Sequence, residues 1–188
     1  MAHGSQEIEI KLALADAAAG RKLLRGGGFR VSRARVFEAN TVFDTDDLTL
    51  RNTGRLLRIR EAGRIVTLTY KGVALPGRHK QREEVESEIP DAAAMALIFE
   101  RLGYKPVFRY EKYRTEFRER GAGGGTAMLD ETPIGVFLEL EGAPRWIDRT
   151  ARRLGFAEAA YVTASYGRLY FEWCQASGET PGHMVFRG

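Results

Sequence analysis

The chain has 188 residues, 44% hydrophobic and 29% charged, with 29 lysines and arginines against 25 aspartates and glutamates, a formal net charge of +4. That length suits one domain with a sizeable core, and the slight basic excess favours an anionic ligand without choosing among nucleotide, polyphosphate and nucleic acid. Cys174 is alone, which excludes an internal disulfide and a thiolate metal site, and His3, His79 and His183 stand singly, which excludes a helical two-histidine metal box.

Residues Glu7 to Leu14 alternate charged and apolar, the pattern of a strand. Asp16 caps a helix through Arg25 that Gly26-Gly27-Gly28 stops. Phe29 to Phe43 reads as a second strand and Asp44 to Gly54 as a polar turn region. Leu56 to Glu61 and Ile65 to Lys71 form a hairpin about Ala62-Gly63, and Lys80 to Ile89 is a strand that Pro90 ends. Asp91 caps a helix to Leu102, stopped by Gly103. Val107 to Arg118 and Thr126 to Asp130 are strands joined by the GAGGG segment at Gly121, read as a flexible hairpin loop, and Gly135 to Glu141 is the last strand. Helices follow over Arg145 to Leu154, whose arginines make a solvated face, and over Ala164 to Cys174. Residues 176–188 are expected to be a loose tail of a single 1–188 domain. The strand connections are too short for repeated parallel crossovers, so the class is α+β with an antiparallel sheet.

Side chains along a strand alternate between faces. Glu7, Glu9 and Lys11 therefore share one face, as do Arg58 with Arg60, Arg82 with Glu84, Glu86 and Glu88, Lys112 with Arg114, and Glu139 with Glu141, while Lys71 follows Thr67 and Thr69. One such strand is ordinarily the solvated side of an amphipathic sheet. Charge on six segments, with both signs in ordered groups, suggests instead a sheet closed with that face inward. Such a lumen would be costly without a ligand, since crowded like charges repel and buried charges need partners. Carboxylates suit the hard cations Mg2+ or Mn2+, and arginine forks and lysines suit phosphate oxygens, so a triphosphate with a divalent ion uses both signs.

The same residues occur in an order that resembles the CYTH superfamily, the triphosphate tunnel metalloenzymes. EIEIK at Glu7 to Lys11 resembles its opening Glu-x-Glu-x-Lys, and Asn40 to Arg60 resembles its aspartate-threonine turn leading to paired arginines. Lys71 matches a strand-end lysine, Arg82, Glu84 and Glu86 an Arg-x-Glu-x-Glu strand, and Lys112 with Arg114 a Lys-x-Arg pair. Asp130, Gly135, Phe137, Glu139 and Glu141 match a further segment, and SYGRL from Ser165 resembles the closing helix. Val42 departs from the pattern, where an aromatic is usual, and is expected to face away from the lumen chemistry.

The resemblance implies an eight-stranded antiparallel β-barrel tunnel with flanking helices, and a triphosphate along its axis. It implies Glu7, Glu9, Glu139 and Glu141 as ligands of Mg2+ or Mn2+, with Glu84 and Glu86 aiding metal or water. Lys11, Arg58, Arg60, Lys71, Arg82, Lys112 and Arg114 would contact phosphate. Asp130 would orient one of these cations, with a supporting salt bridge as the alternative for Asp130 and Arg82. Hydrolysis of a triphosphate is the favoured activity. The alternatives are a class IV adenylyl cyclase, which needs an adenine site that no sequence feature supplies, and a non-catalytic polyphosphate- or nucleotide-binding module. The expected partner is a small triphosphate; among nucleic acids only triphosphate-ended RNA fits, because no aromatic-rich strand offers a stacking platform. With no run of about 18 apolar residues and no signal peptide, no membrane partner is expected and the location is expected to be cytoplasmic. No Walker loop and no Ser-His-Asp set are present. The preferred triphosphate and the oligomeric state are open at this point.

Overall fold

The structure is a computed structural model that describes residues 5–121 and 124–187. His3, Ala122 and Gly123 of the glycine-rich segment, and Gly188 at the end of the tail lie outside the described residues.

Eight strands close into one barrel, β1 (Ser5–Leu14), β2 (Phe29–Asp44), β3 (Leu56–Ala62), β4 (Ile65–Lys71), β5 (Lys80–Glu88), β6 (Lys105–Glu119), β7 (Gly125–Thr132) and β8 (Gly135–Gly142). Their spatial order is β1-β5-β4-β3-β2-β6-β7-β8, with β8 returning to β1, and every pairing is antiparallel. Closure gives every strand a neighbour on both sides and turns one face of each inward.

The helices cover the outward apolar face. α1 (Ala17–Gly26), with Asp16 accepting the Ala19 N–H as its cap, and α4 (Pro144–Arg153) bring Leu24, Trp146 and Ile147 onto Ile10, Leu12, Leu129, Leu138 and Leu140. α3 (Ala92–Arg101), capped by Asp91, sets Phe99 on Phe43 and Ile59. Burial of this apolar surface fixes the phase of each strand, because a slip of one residue would send the charges outward and the leucines inward.

A short helix, α2 (Thr49–Asn52), interrupts the segment read as a polar turn. Asp44 builds it by accepting N–H groups from Thr45, Leu50 and Arg51, each at 2.8 Å. The glycine-rich segment also does more than turn: Gly125 lies in β7, where an added Cβ would stand 2.4 Å from the Glu141 carbonyl oxygen and 2.5 Å from the Trp146 ring.

The end of the chain is not loose. α5 (Tyr166–Ser177) runs beyond the expected Cys174 and stops at Gly178 in the left-handed region. Beyond it, Met184 is fully buried and bridges Tyr110 in parallel, donating its N–H to the Arg109 carbonyl and accepting from the Glu111 N–H. β7 pairs with β6 only from Tyr113 to Phe117, so the tail satisfies the β6 edge that β7 leaves open.

Candidate functional site: a charged tunnel

The barrel encloses a cavity of about 990 Å³. Lys11, Arg58, Arg60, Lys71, Arg82, Lys112, Arg114, Glu7, Glu9, Glu84, Glu86, Glu139 and Glu141 all line it. Register explains why: on β1 and β8, Glu9 stands opposite Glu141 and Lys11 opposite Glu139, and cross-strand partners share a face. Asp130 lies behind this lining and is fully buried.

The charges form interlocked groups. Glu7 accepts from Lys71 at 2.5 Å and Arg82 at 3.0 Å. Glu9 accepts from Lys11 at 2.9 Å and from Lys80 at 3.0 Å, and Lys11 also reaches Glu139 at 3.1 Å. Arg114 forks onto Asp130 and also pairs with Glu139. Asp130 further accepts from Lys112 at 2.8 Å and from the Tyr166 hydroxyl at 2.7 Å. Arg58 donates to the Tyr110 hydroxyl at 2.9 Å, to Thr69 at 3.1 Å and to Glu86 at 3.3 Å, and Arg60 donates to Glu86 at 2.8 Å. Glu84 meets Lys71 at 3.0 Å.

These contacts set the proton affinities. Burial alone would raise Glu9 and Glu139, but Lys11 and Lys80 hold the first, and Arg114 and Lys11 the second, below the ordinary carboxylate range. Glu7 is lowered in the same way by Lys71 and Arg82, against burial and Glu9. Asp130 is held at about 2 by Arg114 and Lys112 in spite of burial. Glu141 goes the other way: burial, and then Glu7, Glu139, Glu9 and Glu84, push it up to about 7. It has no lysine or arginine partner among the described residues.

The four glutamates fit a divalent ion in donor chemistry and in the excess negative charge gathered at Glu141. As placed, Glu7, Glu9 and Glu139 are turned onto cations, and no three acidic or histidine side chains among the described residues gather closely enough to enclose an ion.

Three features depart from the sequence reading. Glu38 faces the lumen from β2, almost fully buried, 3.6 Å from Lys112 and 3.8 Å from Arg60, and is held at about 2 by these cations and Arg114 in spite of burial. Its Oε2 has no hydrogen-bond partner. Lys80 also faces inward, and burial lowers it to about 8 although Glu9 favours its charge. Val42 does not face away: it stands opposite Arg58 on β3 and Phe108 on β6, so it shares the lumen face with Arg58.

Comparisons with known proteins agree with this architecture. A Pyrococcus horikoshii OT3 structure superposes with a TM-score of 0.74 at 26% identity, covering 88% of this chain and 98% of that one. A Hippeastrum structure, described as that of a "putative adenylyl cyclase" with a dominant triphosphatase activity, gives 0.65 at 21% identity, covering 93% and 97%, and bears on the fold alone. In sequence, a Methanocaldococcus jannaschii protein named "putative adenylate cyclase" is 33% identical over 136 residues, which is 72% of this chain and 75% of the relative. No described helix is long and apolar enough to cross a membrane. The CYTH domain matches residues 5–166, the whole barrel through the start of α5, and the chain belongs to that family.

Proposed function

We propose that this chain hydrolyses a triphosphate in its tunnel with the help of Mg2+ or Mn2+. The observation that carries the reading is the paired inventory of one closed lumen, in which buried carboxylates and buried cations neutralise each other. A polyanion accompanied by a divalent cation can replace those internal partners sign for sign, so binding need not strand a buried charge.

Glu7, Glu9, Glu139 and Glu141 would hold the metal. When bound, it would neutralise phosphoryl oxygens and orient water. Lys11, Arg58, Arg60, Lys71, Arg82, Lys112 and Arg114 bind phosphoryl oxygens. Asp130 would aim Lys112 and Arg114 through its hydrogen bonds, while Glu38 stands beside Lys112 and Arg60 as an internal partner that phosphate displaces. Glu84 and Glu86 line the same lumen and would position or activate the water. In this reaction water attacks the terminal phosphorus, the bond to its bridging oxygen breaks, and orthophosphate leaves a diphosphate behind.

The name of the 33% identical relative favours a second reading, adenylyl cyclisation. There the ribose 3′-hydroxyl attacks the α-phosphorus and pyrophosphate leaves. A panel of tripolyphosphate, ATP, thiamine triphosphate and longer polyphosphate, each with Mg2+ or Mn2+ and with every product identified, separates the two. Orthophosphate release supports hydrolysis. Cyclic AMP with stoichiometric pyrophosphate overturns it.

A further inference from the structure

Two strands leave the barrel together. β2 pairs with β3 only from Glu38 to Phe43, and β6 pairs with β7 only from Tyr113 to Phe117. Where Arg30 stands opposite Arg118, neither β3 nor β7 reaches, and β2 and β6 form a bare two-stranded ribbon among the described residues.

The ribbon continues the lumen face of the sheet. Side chains alternate along β6, so Arg114, Glu116 and Arg118 share the face that lines the tunnel. On β2, two β-bulges, between Val31 and Arg33 and between Arg33 and Val36, each insert one extra residue. They set Arg33 opposite Glu116 and Arg30 opposite Arg118. An unbroken ladder from Val36, which stands opposite Arg114, would have put Ala34 and Ser32 in those places. Bulges at the rim of a barrel re-aim side chains, and these two aim arginines.

Arg33 and Glu116 line the cavity and pair at 3.4 Å. Their row of the sheet runs on through Met128 and Glu139 to Lys11. Arg30 and Arg118 stand two residues of β6 beyond that row, a step of about 6.5–7 Å. Both are exposed, neither makes an ion pair among the described residues, and Arg30 donates only to the neighbouring Phe29 carbonyl, at 3.1 Å. Like charges directly opposite each other on a sheet face are destabilising, and no described carboxylate offsets these two. An anion reaching out of the lumen would. Beside Arg33 and Glu116, this end of the cavity is lined by Ala62, Ile65, Glu88 and Thr126, with no aromatic ring on which a base could stack. The arrangement suits a chain of phosphates that carries no bases.

We propose that Arg30 and Arg118, approached past Arg33, form an anion site outside the tunnel for the continuing phosphates of a linear inorganic polyphosphate whose end lies in the lumen. The site adds affinity only for a chain long enough to leave the lumen. The inference rests on the triphosphate reading above and names a longer chain as a substrate of the same tunnel.

The test is isothermal titration of tripolyphosphate and of a linear polyphosphate several times longer, in EDTA, into the wild type and three double variants. These are Arg30→Gln with Arg118→Gln, Arg30→Lys with Arg118→Lys, and Arg101→Gln with Lys105→Gln, which removes the same charge near the other end of β6. The first should cut the preference for the long chain by roughly two- to thirtyfold, the worth of two exposed ion pairs, and leave tripolyphosphate binding as it was. It should also flatten the salt dependence of long-chain binding, since fewer counterions are released. The lysine variant should keep most of the preference, and the Arg101 and Lys105 variant all of it. An unchanged preference in the first variant, or an equal loss in the third, overturns the proposal. If the two arginines only guard an open strand edge, the first variant aggregates more readily and the preference stays put. Single-stranded RNA with a 5′-hydroxyl that binds as tightly as the long polyphosphate, and is lost with the same two arginines, overturns the assignment to an inorganic chain. Failure of tripolyphosphate to bind the wild type sinks the tunnel reading, whereas tripolyphosphate binding with no long-chain preference sinks this proposal alone.

Discussion

Replacing Asp130 by asparagine should destabilise the protein severely at neutral pH and less in acid. Asp130 is fully buried and is the shared anion of Lys112, Arg114 and Tyr166. Its carboxyl is held at about 2 against an ordinary 3.8. Because the folded value is the lower one, the carboxylate contributes stability above about pH 4 that is lost as pH falls towards 2, and the shift corresponds to about 2–3 kcal/mol. Asparagine removes the charge and also points amide hydrogens at two cations, which takes the cost to about 3–5 kcal/mol. For a domain of this size that is a fall of roughly 6–20 °C in melting temperature. Urea unfolding of both proteins at pH 7 and near pH 3 measures it. A variant within about 1 kcal/mol of wild type at pH 7, or a difference that does not shrink in acid, would refute the idea that Asp130 holds these cations in place.

Arg60→Ala removes a cation that reaches both Glu86 and Glu38, and should weaken tripolyphosphate turnover by the equivalent of about 2–5 kcal/mol while affecting a monophosphate ester less. Arg60→Lys should recover part of this, since a point charge cannot replace a fork; steady-state kinetics on the two compounds read both effects. Glu38→Gln deletes an anion that competes for Lys112 and Arg60, so it should lower stability without ligand by about 1–3 kcal/mol yet tighten tripolyphosphate binding, measurable by titration calorimetry. Gly125→Ala would drive a methyl group into the Glu141 carbonyl and Trp146, and should cost at least about 2 kcal/mol in thermal unfolding.

The barrel was legible because its strands announce their phase. Glu7-Ile8-Glu9-Ile10-Lys11-Leu12 can bury only one face, and the hairpins pass that phase from strand to strand. Glu38 escaped notice, and Val42 was expected on the wrong face, for the opposite reason. Their lumen face of β2 reads Glu38, Asn40, Val42, a single charge among neutral residues, and only pairing with Arg58 and Lys112 shows which way it points. Lys80 opens a strand directly after a loop, where a lysine ordinarily faces solvent, and its burial depends on Glu9 arriving from a strand far away in sequence. The tail carries no periodicity at all. Met184 is buried because β6 outruns β7, a tertiary mismatch in strand length that no local pattern records. The alternating strands disclosed every lumen carboxylate named from the sequence, but the lysine and arginine partners of those carboxylates are a matter of cross-strand geometry.

On the reading proposed above, this lumen moves a phosphoryl group from a triphosphate to water with a divalent ion. Phosphorus-31 NMR of ATP and of tripolyphosphate mixed with the protein, first in EDTA and then with Mg2+ or Mn2+ in excess, tests it most directly. The expected result is no change in EDTA and, on adding metal, orthophosphate with ADP from ATP or with pyrophosphate from tripolyphosphate. Turnover that persists in excess EDTA, or a spectrum with cyclic AMP and pyrophosphate and no orthophosphate, would contradict it.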